Sequence, residues 1–177
     1  MDIFWSFLGW VVRVIDPVWS KAEPFFTWAG ESWLGLTVAD SVWKFPALES
    51  VHILAMAIMF GGLLVLNLRL MGFGMIRQPL PLLSKVLLPF INWGLILMLI
   101  TGYGMFASQG SKYFTNDGFK IKMVSLFLVL VFQYTFYASL LKKDDAQRNK
   151  VVASSAALLN FFLWFMVGGA GRAIGFV

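Results

Sequence analysis

Of the 177 residues, 59% are hydrophobic and 13% charged, and the mean hydropathy is +0.78. A soluble domain carries a charged fraction nearer ~25%, so this composition excludes an ordinary globular protein and defines a polytopic integral membrane protein. The net charge of +5 comes from basic residues at helix ends rather than from one patch, which argues against nucleic-acid binding. The absence of cysteine excludes disulfides, thiolate metal sites and thioether-linked haem.

In chain order, residues 1–46 read as an aromatic-rich interfacial section. The apolar run Ile3 to Ile15, about 20 Å as a helix, is too short to cross a hydrocarbon core of ~30 Å. Asp16-Pro17 is expected to end it, and Glu23-Pro24 and Phe45-Pro46 punctuate the remainder of the section. Trp5, Trp10, Trp19, Trp28, Trp33 and Trp43 all fall here, and tryptophan favours the headgroup level. Asp2 in place of a basic segment, with no small-residue cleavage site, speaks against a cleavable signal peptide.

Residues 47–177 form the transmembrane domain, with spans near 47–68, 82–107, 119–141 and 151–171. Short linkers make sequential spans antiparallel neighbours, so the expected fold is all-α, a four-helix membrane bundle carrying an N-terminal interfacial helical section. The first and third linkers hold Arg69, Arg77, Lys85, Lys142, Lys143, Arg148 and Lys150, whereas acidic residues outweigh Arg13, Lys21 and Lys44 in the N-terminal section. The basic linkers are therefore expected on the cytoplasmic side, with both termini periplasmic.

The first span carries the only histidine. Glu49, His52, Met56, Met59 and Leu63 succeed each other at spacings of three and four and share one helical face. An ionisable group inside an apolar helix is costly and marks a site. Counted inward from the helix ends, Tyr103 on the second span, Lys122 on the third and Arg172 on the fourth reach the same layer as His52. Asn67, Asn92, Gln133 and Asn160 form a second polar layer, read mainly as helix–helix bonding. Lys120 and Arg172 read equally well as basic side chains snorkelling to the headgroups. Gly61-Gly62, Gly102-Gly104 and Gly168 to Gly171 read first as sites of close helix approach, and alternatively as room for a flat cofactor.

The run Pro46-Ala47-Leu48-Glu49-Ser50-Val51-His52-Ile53-Leu54, with Gly61-Gly62, Asn67-Leu68-Arg69-Leu70, Leu88-Pro89, Thr101-Gly102, Phe119-Lys120-Ile121-Lys122-Met123 and Gly171-Arg172-Ala173-Ile174, resembles an uncharacterised bacterial family of four-span membrane proteins. In that family an Asp-Leu-Arg-Leu sequence is typical, and Asn67 stands in place of its Asp. The similarity covers roughly residues 42–176. More distantly, the pattern is similar to HemJ-type protoporphyrinogen oxidases and to the CopD copper-resistance membrane domain. The HemJ likeness implies haem b held by His52 and Lys122, hence an oxidoreductase.

Three functions are expected in turn. The first is a haem b-binding electron-transfer protein of the bacterial inner membrane, working near the periplasmic face on a quinone-like or tetrapyrrole substrate. His52 and Lys122 would be its metal ligands, Glu49 would orient the imidazole, Tyr103 and Arg172 would complete the cofactor site, and Met105 or Met123 would offer a thioether alternative. A lone histidine excludes a bis-histidine site within one chain, but a homodimer could share one. The second is copper handling through His52, Met56, Met59, Met105 and Met123. The third is a non-catalytic subunit of a larger membrane complex.

Overall fold

The computed structural model describes residues 2–75, 77–144, 146 and 148–175, with the side chains of residues 2–5, 7 and 8 set aside; the expectation for Trp5 thus lies outside the described side chains. Its helices are α1 (Asp2–Trp19), α2 (Glu23–Glu31), α3 (Trp33–Ala39), α4 (Lys44–Leu70), α5 (Leu80–Ala107), α6 (Gly110–Phe114), α7 (Asp117–Phe132), α8 (Ala138–Leu141) and α9 (Lys150–Ala173). A π-helical segment, Gln133–Tyr137, joins α7 and α8 into one continuous span, Asp117–Leu141. No strand occurs among the described residues.

Four helices are long and apolar enough to cross a membrane: α4, α5, Asp117–Leu141 and α9. At 1.5 Å per residue they measure about 36 to 42 Å, longer than the ~30 Å of hydrocarbon they must cross. Local signals set their ends. Asn116 caps α7 by accepting from the Phe119 amide at 3.0 Å, and Asn149 caps α9 by accepting from Val151 and Val152. Pro81 sits in the first turn of α5, where no N–H is needed. Gly72, with φ of +87°, closes α4: its amide bonds the Arg69 carbonyl while that of Phe73 bonds Leu68. That pairing needs a left-handed residue, which glycine supplies without strain.

The first span packs along the second and the fourth, and the fourth packs along the third. The bundle therefore runs second–first–fourth–third. At its centre lie Met59, Leu63, Leu66, Ile91, Leu95, Val129 and Trp164. The interface between the first and second spans is tight: a Cβ added at Gly94 would stand 2.9 Å from the Ala55 carbonyl oxygen. The second and third spans do not pack along one another in the same way; α5 meets α8 toward the end carrying the basic linkers.

The opposite end is capped by α1, α2, α3 and α6. Lys120 bonds both Asp16, at 2.9 Å, and Asp117, at 3.0 Å, and so ties α1 to the third span rather than snorkelling freely. Trp19 donates its indole N–H to the Phe114 carbonyl. α2 lies so close to α6 that a Cβ on Gly110 would collide with the Phe26 carbonyl. The cap differs from the sequence expectation at one point: α1 runs through Asp16-Pro17 to Trp19. Pro17 falls in the last turn, where its missing N–H costs a single bond and the chain is already tightening into the short 3-10 turn Ser20–Ala22.

Candidate functional site

Just inside the cap, between the second and third spans, lies a cavity of about 370 Å³. This falls in the range of ~300–1,000 Å³ typical of small-molecule sites. Trp19, Phe25 and Phe26 reach it from the N-terminal section, and Phe106 and Phe119 from the ends of the adjoining spans. Met98, Tyr103, Met123 and Leu126 form its sides, and Trp164 and Val167 of the fourth span back it. The walls are apolar except at His52, Lys122 and Tyr103.

His52 is half-buried, and its Nδ1 lies 2.9 Å from the Thr101 hydroxyl. Thr101 has one hydroxyl hydrogen, and the Leu97 carbonyl accepts it at 2.7 Å, as expected of a buried threonine bonding back along its helix. With that hydrogen on Leu97, the hydroxyl oxygen is free to accept from His52; in that tautomer Nδ1 carries the imidazole proton and Nε2 keeps its lone pair. Gly102 makes the approach possible, since a Cβ there would sit 3.3 Å from His52 Cε1.

Lys122 enters from the third span. No hydrogen bond or ion pair joins it to any described residue, in contrast to Lys120 two positions earlier. Its stem and ammonium lie against Gly171 of the fourth span, where an added Cβ would be 3.5 Å from Nζ.

Four of the residues expected from the sequence thus share one cavity: His52, Lys122, Tyr103 and Met123. Glu49 and Arg172 do not line it; both are exposed at the capped end. The bundle stops short of Glu49, so the helical face that buries Met59 and Leu63 leads out to solvent or headgroups one turn before His52. Thr101, rather than Glu49, holds the second imidazole nitrogen. The Glu49 charge instead adds to burial in holding the Tyr113 phenol of the cap above its ordinary range. Of the methionines, Met98 and Met123 line the cavity; Met56, Met59 and Met105 do not.

The lower polar layer forms in part as expected. The Tyr137 hydroxyl donates to Asn67 at 2.7 Å, Asn67 donates to Asn160 at 3.3 Å, and Asn160 donates to Gln133 at 3.4 Å. Trp164 donates its indole N–H to the same Gln133 oxygen at 2.7 Å. All five side chains are buried, so the network links the first, third and fourth spans directly behind the cavity. Asn92 is not part of it: Tyr134 donates to Asn92 at 2.8 Å, bridging the second and third spans.

Thr101, Met98, Trp164 and the roofing Trp19, Phe25 and Phe26 are the candidate-site residues that spacing alone misses. For Thr101 a usable signal existed, because a hydroxyl counted inward from the end of the second span reaches the His52 level. For the roof there was none, since its residues lie far from the spans in sequence.

The fold defines a multi-pass α-helical membrane protein. Within that class the chain belongs to DUF6644, a family of unknown function whose model matches residues 25–177. The match takes in all four spans and α2 from Phe25 onward, and leaves Asp16 and Trp19 outside it. No curated protein and no solved structure matches the chain.

Proposed function

We propose that this protein is a haem b-binding redox protein whose site is the cavity beside His52. The observation that carries the reading is the 2.9 Å contact of His52 Nδ1 with Thr101 on the wall of an apolar, aromatic-lined cavity; with Nδ1 as the donor there, Nε2 would be left as a lone-pair ligand. Among the described residues no group of three His, Cys, Asp or Glu side chains can hold a metal ion. A metal that arrives inside a macrocycle needs only one or two protein ligands, and the donor set here fits that case.

His52 would bind the iron, and Thr101 fixes the ring's tautomer and orientation and raises its basicity. Lys122 would supply the positive charge for a propionate, or a second nitrogen ligand. The aromatic walls, Phe26, Phe106 and Phe119, exclude water. A haem in this setting supplies one-electron chemistry. The proposed activity is the class that the HemJ-like residue pattern implies, and a quinone-like or tetrapyrrole electron partner would complete it.

Lys122→Met should leave the haem bound but shift its reduced α band or weaken its retention. An unchanged oxidised and reduced spectrum in this variant would remove Lys122 from the site. A copper(I) reading draws on Met98 and Met123 lining the same cavity as His52. Copper analysis of the purified protein, beside its absorption spectrum, separates the two.

The location proposed is the bacterial inner membrane, with both termini and the cap periplasmic, on the strength of Arg69, Arg77, Lys85, Lys142, Lys143, Arg148 and Lys150 in and beside the first and third linkers. Because the chain has no cysteine, Gln78→Cys and Lys112→Cys test this cleanly. In intact spheroplasts an impermeant maleimide should label position 112 and spare position 78; the reverse pattern would invert the topology.

A further inference from the structure

We propose that the cavity is loaded sideways from the bilayer, through a portal between the second and third spans, by a flat amphiphile whose anionic end pairs with Lys122. The haem assignment above would be one such ligand, and the portal rests on that reading only for the occupant's identity.

The cavity is closed on its other sides. Toward the cap, Phe26, Phe106 and Phe119 are all buried and in mutual ring contact, with centroids 5.1 to 6.0 Å apart. Toward the bundle interior stand Trp164 and the amide network fixed to it. The side facing the bilayer differs. Leu99 and Tyr103 on the second span, Met123 on the third and Phe25 above them line the cavity and are also exposed, from 39% to 49%. Those side chains form the lip of an opening at hydrocarbon depth, where only a lipid-soluble molecule would arrive.

The lower edge of this opening has a defined fastening. The Tyr134–Asn92 bond crosses between the same two spans, and Tyr134 lies in the π-helical segment Gln133–Tyr137. A π-turn is often found at functional positions in helices. Here it presents Tyr134 sideways to Asn92 while Gln133 and Tyr137 on the same segment face the buried network. The bond sets where the two spans begin to part. Lys122, apolar-walled and without a partner among the described residues, gives the arriving molecule its polarity requirement: a carboxylate is stabilised there, whereas a second cation is repelled.

The test uses the cysteine-free chain in proteoliposomes. Met123→Cys places a thiol on the lip, and Phe165→Cys places one on the lipid-facing side of the fourth span, away from the portal. Each is modified with pyrene maleimide, and uptake of two probes is tracked: hemin by its Soret band, and parinaric acid, a non-porphyrin bilayer-soluble carboxylate, by energy transfer from tryptophan. Modification at position 123 should slow both by roughly tenfold or more, within the span over which access constraints move association rates, and modification at 165 should change neither. Unchanged uptake of the probes by protein blocked at 123 would overturn the portal and leave the haem reading standing. Parinaric acid uptake that is blocked at 123, in a protein that refuses hemin, would overturn the haem reading and keep the portal. Refusal of both probes by the unmodified protein would overturn both.

Discussion

His52→Ala is expected to abolish the Soret band of hemin-loaded protein while leaving helicity, insertion and elution volume unchanged. The imidazole is half-buried and its side-chain hydrogen bond is to Thr101, so its loss costs the fold about 1 kcal/mol, the usual scale of a hydrogen bond between membrane helices. Its loss removes the imidazole ligand outright, because no second histidine exists in the chain, and Lys122 alone would not hold the iron in the same ligation. Thr101→Val separates ligation from orientation. It preserves side-chain size and removes the acceptor for Nδ1–H, so hemin should still bind but ~10–100-fold more weakly, as when a metal ligand loses its outer hydrogen-bond partner. Hemin titration monitored by absorbance reads both variants. Full retention of the spectrum in His52→Ala would show that the cavity is not a haem site.

Trp164→Ala should produce the largest loss of stability, about 3 kcal/mol, at the low end of the usual range for truncating a buried tryptophan. In a bilayer the released surface meets hydrocarbon, so the transfer contribution largely vanishes and lost packing remains. Trp164 is 1% exposed, lies edge-on to Phe60 at 5.9 Å and donates to Gln133. Trp164→Phe keeps most of the packing and removes the N–H, so it should cost nearer 1 kcal/mol. Denaturation midpoints in mixed micelles give the comparison. Equal losses for the two substitutions would assign the stabilisation to the hydrogen bond instead of the ring. The alanine variant should also loosen the cavity wall, and with it the retention of any bound ligand.

Much of the architecture was legible in the sequence because it rests on local rules. A span needs about 20 apolar residues, and polar groups eleven apart return to one helical face, so the four spans and the depths of His52, Tyr103 and Lys122 come from counting. The same counting located Asn67, Gln133 and Asn160 in one layer. Counting does not settle direction: Asn92 shares their zone but bonds Tyr134 between the second and third spans, and Arg172 shares the level of His52 but stays at the exposed rim.

Composition and helical period by themselves determined that this chain crosses a membrane four times and carries a lone imidazole and a deep lysine at one level. Only the tertiary structure decided what those groups face. The unequal packing of the four helices leaves the second and third spans apart and so creates a cavity. The cap then folds Trp19, Phe25 and Phe26 back over Phe119, nearly a hundred residues away. Thr101 becomes the partner of His52 because the first and second spans approach closely at Gly94 and Gly102. Such contacts depend on which neighbours close-pack and which are left to lipid, a property of the whole bundle that no single helix contains.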